Sequence, residues 1–590
     1  MKKILLLILV LTLFLSGCGS EINPSEIRMQ ELYGQNNEIT SEYNTNLSAV
    51  CNNGIFVGKE SNGVVAFKGI PYAEQPIGNL RWKEPVPAED SEKIYEAYYF
   101  GKSPIQSEWV SEVASYYEQG EDCLYLNVWT NGNNSSKDKT VMVFFHGGSY
   151  GWGGTSDPIY DGQNLVEKYD DIILVTVGYR TGIMGFIDLS SVEGGDTYET
   201  SGNLGLLDQI EALRWIQKNI SAFGGNPDNV TIFGESAGGG SVSLLPLIED
   251  TDGLFNRIIA QSGSIALTYS TEECQNLTEM LLEETNCSNM QELLSLSTEE
   301  LMKANEKLND YNNFPERDGV VLPKDLYAAY ASGVTANVDM LIGTNSDETR
   351  YWIREMGYYT DLLDGMTIYS LGLPIMYEND IGEISEADMQ YVKSFMDLQK
   401  DKKIWNITEF YNEILFRVPA LKQAELHASN GGNAFVYHWT YPGSDETVGA
   451  CHAIELSYIF NNLHETIYTG NKVNEVLANT AQDMWINFAR TGNPSTDEIE
   501  WEAYNSDTKI TMLLGEKIEA VSNYKGEQAE LIEPLLKYGI NGCYSQLSFN
   551  VPHVYKIAGV ALGTILVICG IIVAFVICIK KKLKKKQVPI

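Results

Sequence analysis

The chain has 590 residues, 79 of them acidic and 41 basic, for a formal net charge of −38 at pH 7. So acidic a surface repels phosphate backbones, which excludes nucleic acid as a partner. Hydrophobic residues make up 44% of the sequence, too many for a disordered chain and ample for a large core.

Lys2 and Lys3 precede an apolar run from Ile4 to Leu15, and Leu15-Ser16-Gly17-Cys18 follows. A basic flank, a short apolar stretch and small residues make an export signal over residues 1–17, too short for a comfortable membrane span. Leu-Ser-Gly-Cys resembles a bacterial lipoprotein box, with cleavage before Cys18 and a lipid on its thiol. Residues 18–49 are polar, lack periodicity and read as a tether. At the other end, Ile557 to Ile579 is apolar throughout and long enough to cross a bilayer. Six lysines follow within 580–590, which marks that tail as cytoplasmic. The expectation is a domain over 50–545 held on the outer face of a cell membrane.

Of nine cysteines, Cys18 is the lipid site and Cys569 and Cys578 lie in the span, leaving Cys51, Cys123, Cys274, Cys287, Cys451 and Cys543. In an exported chain these can pair. Cys274 and Cys287 flank a helical stretch and are close enough in sequence to close a small loop. No C-x-x-C pair or His/Cys group has metal spacing, so neither a metal nor a cofactor is expected.

Within the domain, Phe67 to Ala73 reads as a strand and turn, and Glu121 to Trp129 as a strand. Thr140 to Phe145 is a continuous apolar run, as in a buried strand. It ends in His146-Gly147-Gly148-Ser149-Tyr150-Gly151-Trp152-Gly153. Ile172 to Val177 is a second such run. Gly202 to Asn219 places Leu206, Ile210, Leu213 and Ile216 at helical spacing. A turn through Phe223 to Pro227 leads to a β-prone run with Val230, Ile232 and Phe233, then Gly234-Glu235-Ser236-Ala237-Gly238. Residues 272–341 and 351–422 are mainly helical by spacing. Strand alternating with helix predicts an α/β fold with a largely parallel sheet and helices on both faces.

A strand, a sharp glycine-rich turn and a helix of small residues form a nucleophile elbow, which lifts a serine hydroxyl off the end of a sheet. G-x-S-x-G occurs twice, at Ser149 and Ser236. Only Ser236 has a strand before it and a helix after it, because Gly151, Trp152, Gly153 and Gly154 cannot start a helix well. Ser236 is therefore the candidate nucleophile. The loop leaving Phe145 supplies the rest of an oxyanion hole, with the N–H groups of Gly148 and Ser149 beside that of Ala237.

FKGIPYA, EDCLYLNVW, HGG, GNLGLLDQ, AFGGNPDNVTIFGESAGG and AQSGS follow one another in order. Together they resemble the type-B carboxylesterases, the α/β-hydrolase group of para-nitrobenzyl-type esterases, cholinesterases and the non-catalytic neuroligins, over roughly residues 50–545. The resemblance implies a triad in the order Ser, Glu or Asp, His, and helical insertions over the site. It places the base at His452, in Gly449 to Leu456, and the acid at Glu348 rather than Asp347. It implies polar support for the triad from Glu235, Ser262 and Glu455. Thr349 stands where relatives commonly have Gly. Relatives often bridge the cysteine at position 123 to one upstream, in the segment here occupied by residues 101–106; that segment has no cysteine, so the loop is expected to be unbridged, with Cys51 a candidate substitute partner and the pairing left open. The expected function is hydrolysis of a small-molecule carboxylic ester through an acyl-enzyme. Two alternatives share the fold: a neuroligin-like surface binding protein, and a hydrolase of amides or thioesters.

Overall fold

Apolar runs with no polar interruption are stable only where both faces of a strand are covered, so they become the centre of the sheet. Every residue of β4 (Lys139–Phe145) and β5 (Ile172–Val177) is buried. The structure, a computed structural model, describes residues 32–106, 118–132, 137–308, 313–351, 385–399 and 405–538. The expected signal at 1–17, Cys18, Cys543, the span at 557–579 and the tail at 580–590 lie outside the described residues. Among the described residues no helix is long and apolar enough to cross a membrane.

The other strands of the main sheet are β1 (Lys59–Ser61), β2 (Val64–Pro71), β3 (Tyr125–Asn131), β6 (Gly225–Glu235) and β7 (Arg257–Gln261). With them come β8 (Asp339–Asn345), β9 (Ala434–Trp439), β10 (Ile510–Leu514) and β11 (Ile518–Ser522). Across the sheet they lie in the order β11-β10-β9-β8-β7-β6-β4-β5-β3-β2-β1. The block from β10 to β5 is parallel, and the strands at the two edges are antiparallel. This is the mixed sheet of the α/β-hydrolase fold. Successive side chains point to opposite faces. Val143 and Ile232 join α1 (Leu204–Asn219) through Leu206, Ile210, Leu213 and Ile216 in one core. Phe144 and Phe233, partners in register, join α4 (Glu475–Thr491) through Leu477, Met484 and Trp485 in the other. The chain passes from β4 to β5 on one side and returns to β6 on the other. A crevice opens outside the carboxyl ends of parallel strands at such a reversal.

Three expectations give way. Residues 32–49, read as part of a tether, lie against the domain. Tyr33 is buried, Asn36 Nδ2 donates to Lys68 O and Tyr99 O at 3.0 Å, and Ser48–Cys51 forms a hairpin with Gly54–Val57. Isolated anchors of this kind leave no periodic trace. Nor do Cys274 and Cys287 pair: both are free. Cys274 lies inside α3 (Thr271–Thr285) and Cys287 beyond its end. At about 1.5 Å of rise per residue the helix holds them roughly 20 Å apart, well past disulfide reach. Cys51 and Cys123 are also free and buried; both serve as small apolar members of one core.

Candidate active site

Ser236 sits between β6 and α2 (Ala237–Leu244) with φ 58° and ψ −121°. A non-glycine residue there costs on the order of 1–3 kcal/mol, so its surroundings must enforce it. Ser236 N donates to Gln261 O, and Gly240 N to Ser236 O, each at 2.8 Å. The bend is tight enough that a side-chain carbon on Gly234 would strike the backbone of Gly238, and one on Gly238 would strike the Phe145 carbonyl. Ala237, the first residue of α2, has no intrahelical acceptor for its N–H.

The loop leaving β4 turns back on itself, with Gly148 at φ +109°, Ser149 at 49° and Tyr150 at 57°. Gly151 N and Trp152 N both donate to Gly148 O, at 2.9 and 3.0 Å. Among the described residues no acceptor takes the N–H of Gly148 or Ser149. A side-chain carbon on Gly147 would lie 3.0 Å from Ser236 Cβ, so the loop passes directly beside the serine.

Glu348 follows β8 and is fully buried. Its Oε1 accepts Ser262 Oγ at 2.6 Å and Asn345 N at 2.7 Å, and its Oε2 lies 2.6 Å from His452 Nδ1. His452 Nε2 lies 3.1 Å from Oε1 of Glu235, the neighbour of Ser236. Glu455 accepts Gln261 Nε2 at 3.0 Å and Asn345 Nδ2 at 2.7 Å. The residues singled out in the sequence, Ser236, Glu235, Ala237, Gly148, Ser149, Ser262, Glu348, His452 and Glu455, therefore converge at the carboxyl ends of β4, β6, β7 and β8. Gln261 lies inside the AQSGS motif and Asn345 three residues ahead of Glu348, but neither residue's contact with Glu455 can be read there; both contacts follow from strand register.

Electrostatics single out His452 among the described histidines. Burial pushes the His146 and His427 rings down to about 4 and His438 well below the ordinary range. His464 is exposed. Burial also opposes a charge on His452, but the Glu235 and Glu348 carboxylates outweigh it and raise the ring to about 9. Burial raises Glu235 to about 8, against the pull of His452. The ring and this carboxyl thus compete for a proton. No group of three or more His, Cys, Asp or Glu side chains that could hold a metal occurs among the described residues.

The pattern of the carboxylesterase family matches residues 45–532. The chain is 35% identical to the para-nitrobenzyl esterase of Bacillus subtilis over 81% of this chain and 96% of that one. It is 30% identical to the cholinesterase of Mus musculus over 79% and 82%. Among solved structures, the carboxylesterase EST55 of Geobacillus stearothermophilus at pH 6.2 superposes with a TM-score of 0.72 at 31% identity. That likeness covers 82% of this chain and 99% of the other. The chain belongs to the carboxylesterase family. It is a serine ester hydrolase, and the reading as a non-catalytic binding protein gives way.

In this carboxylesterase the residue after Glu348, Thr349, puts its side chain to use. Thr349 N and Oγ1 both donate to Asn412 Oδ1 at 2.9 Å, and Asn412 Nδ2 donates to Ser346 O at 3.0 Å. Asn412 opens a π-helical turn, Asn412–Arg417, whose Phe416 ring lies 5.1 Å from that of His452. The wide turn thereby touches both the acid loop and the imidazole.

Proposed function

We propose that this carboxylesterase cleaves carboxylic esters with Ser236 as nucleophile, His452 as base and Glu348 as the carboxylate that orients it. The observation carrying the assignment is the two-sided grip on Glu348, held by Ser262 and Asn345 on one oxygen and bonded to His452 Nδ1 on the other. With Nδ1–H committed to the carboxylate, neutral His452 presents Nε2 as the acceptor. It takes the Ser236 proton as Oγ attacks the ester carbonyl. The oxyanion is met by the N–H groups of Gly148, Ser149 and Ala237, each worth about 3 kcal/mol of barrier. His452 returns the proton to the departing alcohol, and the carbon–oxygen bond of the ester breaks. Water then loses its proton to His452, attacks the acyl-enzyme and releases the acid, restoring Ser236.

The base works only when neutral, so kcat/KM falls as pH drops through the pKa of His452, which lies above a histidine's ordinary value. Glu235→Gln removes one carboxylate that raises it. The acid limb of the profile then moves to lower pH, and the variant keeps a larger share of its maximum rate in acid. An unmoved limb would remove Glu235 from the electrostatics of the base.

We propose further that the enzyme works on the outer face of a cell membrane, held by a lipid on Cys18 and the apolar segment 557–579. The support is the order of basic, apolar and small residues at the start and the lysines after the second apolar run. A membrane-impermeant organophosphonate tests both readings. It labels the purified protein on Ser236, read by mass spectrometry, and labels intact cells with the product in the membrane fraction. Labelling of purified protein but not of cells overturns the location alone. No label on folded protein overturns the triad.

A further inference from the structure

The acid loop carries a second carboxylate, Asp347, that the triad does not use. Its Oδ2 accepts Ala450 N at 2.9 Å, and its own N–H donates to Ala450 O at 2.9 Å. One residue thus closes a two-bond ring on the chain just ahead of His452. Arg350 Nη2 pairs with the other oxygen, Oδ1, at 2.8 Å, and Ser346 Oγ donates to Oδ2 at 3.0 Å. Gly449 stands at φ +65°, and a side-chain carbon on it would strike the Asp347 carboxylate; the loop is pressed against this group. The neighbours extend the seam: Asn345 Nδ2 donates to Cys451 O at 2.9 Å and His452 N to Glu348 O at 3.3 Å.

His452 lies in neither helix nor strand. It falls between β9 and the short helix Leu456–Ile459, and Ala453 after it has φ 64°. Its backbone is therefore placed by what grips residues 450–452. The bond from Nδ1 to Glu348 orients the ring, but it cannot fix where the backbone stands. We propose that Asp347 is a positioning residue for the reaction, which registers the histidine loop on the acid loop and so brings the imidazole to the Ser236 hydroxyl. This rests on the assignment of Ser236, Glu348 and His452 given above. Asp347 touches neither substrate nor reacting atoms. A carboxylate suits the task because both oxygens must accept, one from the loop amide and one from Arg350.

The test compares Asp347→Ala and Asp347→Asn with wild type on a para-nitrophenyl ester, with rates normalised to active sites titrated by an organophosphonate. Misplacing a reacting group by about 1 Å can cost a hundredfold. Asp347→Ala is expected to lose about that much kcat per titrated site with KM within about twofold. Asp347→Asn, which keeps an acceptor for Ala450 N but loses the charge paired with Arg350, is expected to lose only about tenfold. Wild-type kcat per site in the alanine variant, or a raised KM at unchanged kcat, overturns the proposal. If Asp347→Ala does not fold, Asp347→Asn decides: about a tenfold loss of kcat at constant KM supports the role, and an unchanged kcat overturns it. Failure of wild type itself to be titrated at Ser236 would instead overturn the triad.

Discussion

Replacing Ser236 by alanine is expected to lower kcat on a para-nitrophenyl ester by about 10⁶-fold, as when the nucleophile of a serine hydrolase is removed. His452→Ala should cost a similar factor. The double variant should be no worse than either alone, because the two groups act as one unit: a base without a nucleophile has nothing to activate, and the serine hydroxyl alone is a poor attacker. Additive losses would mean that the two residues do not share a step. The oxyanion donors are backbone groups and survive both changes, so binding of substrate should persist in both variants. Steady-state kinetics on each protein, with the fold checked by circular dichroism, settles the matter.

Glu348→Gln is expected to lower kcat/KM by about 10⁴-fold, and the reason is one of donors and acceptors. Asn345 N–H is a fixed donor aimed at one side of this group, and the Ser262 hydroxyl, which can rotate, shares that side. A glutamine would turn its carbonyl oxygen to Asn345 and its NH₂ to His452. Nδ1 of the ring must then accept, which puts the proton on Nε2 and leaves no acceptor for the serine proton. The rate of phosphonylation of Ser236 should fall with kcat/KM, since both need the activated hydroxyl. Near-normal phosphonylation would show that another carboxylate orients the ring.

Local chemistry was legible in the sequence; chemistry assembled across the sheet was not. Ile172–Val177 has the same ends as its apolar run. The run at Thr140 gains Lys139, whose buried amine donates to Thr130 Oγ1 and Asn131 O at 3.0 and 2.6 Å; a satisfied polar residue inside a strand breaks no period and announces nothing. Ser236 could be read from its neighbours because an elbow is a local object. Glu348 and His452 had no such signature and came from the order of residues in a family. Asn345 reaches Glu455 and Cys451, and Asp347 reaches Ala450, only after β8 and β9 lie side by side. The expected loop between Cys274 and Cys287 failed for the converse reason: nearness along the chain is not nearness in space when a helix intervenes.

The parallel block of the sheet also sets when this enzyme can first act. Parallel neighbours are joined by long crossovers, and pairings remote in sequence form slowly because the chain between them must first surrender its freedom. The nucleophile, the acid and the base each follow a different strand of that block or the loop beyond it. A nascent or partly refolded chain can hold the elbow correctly shaped and still be inert until β8 and β9 have docked. Ester cleavage thus waits on the long-range pairing of the parallel block.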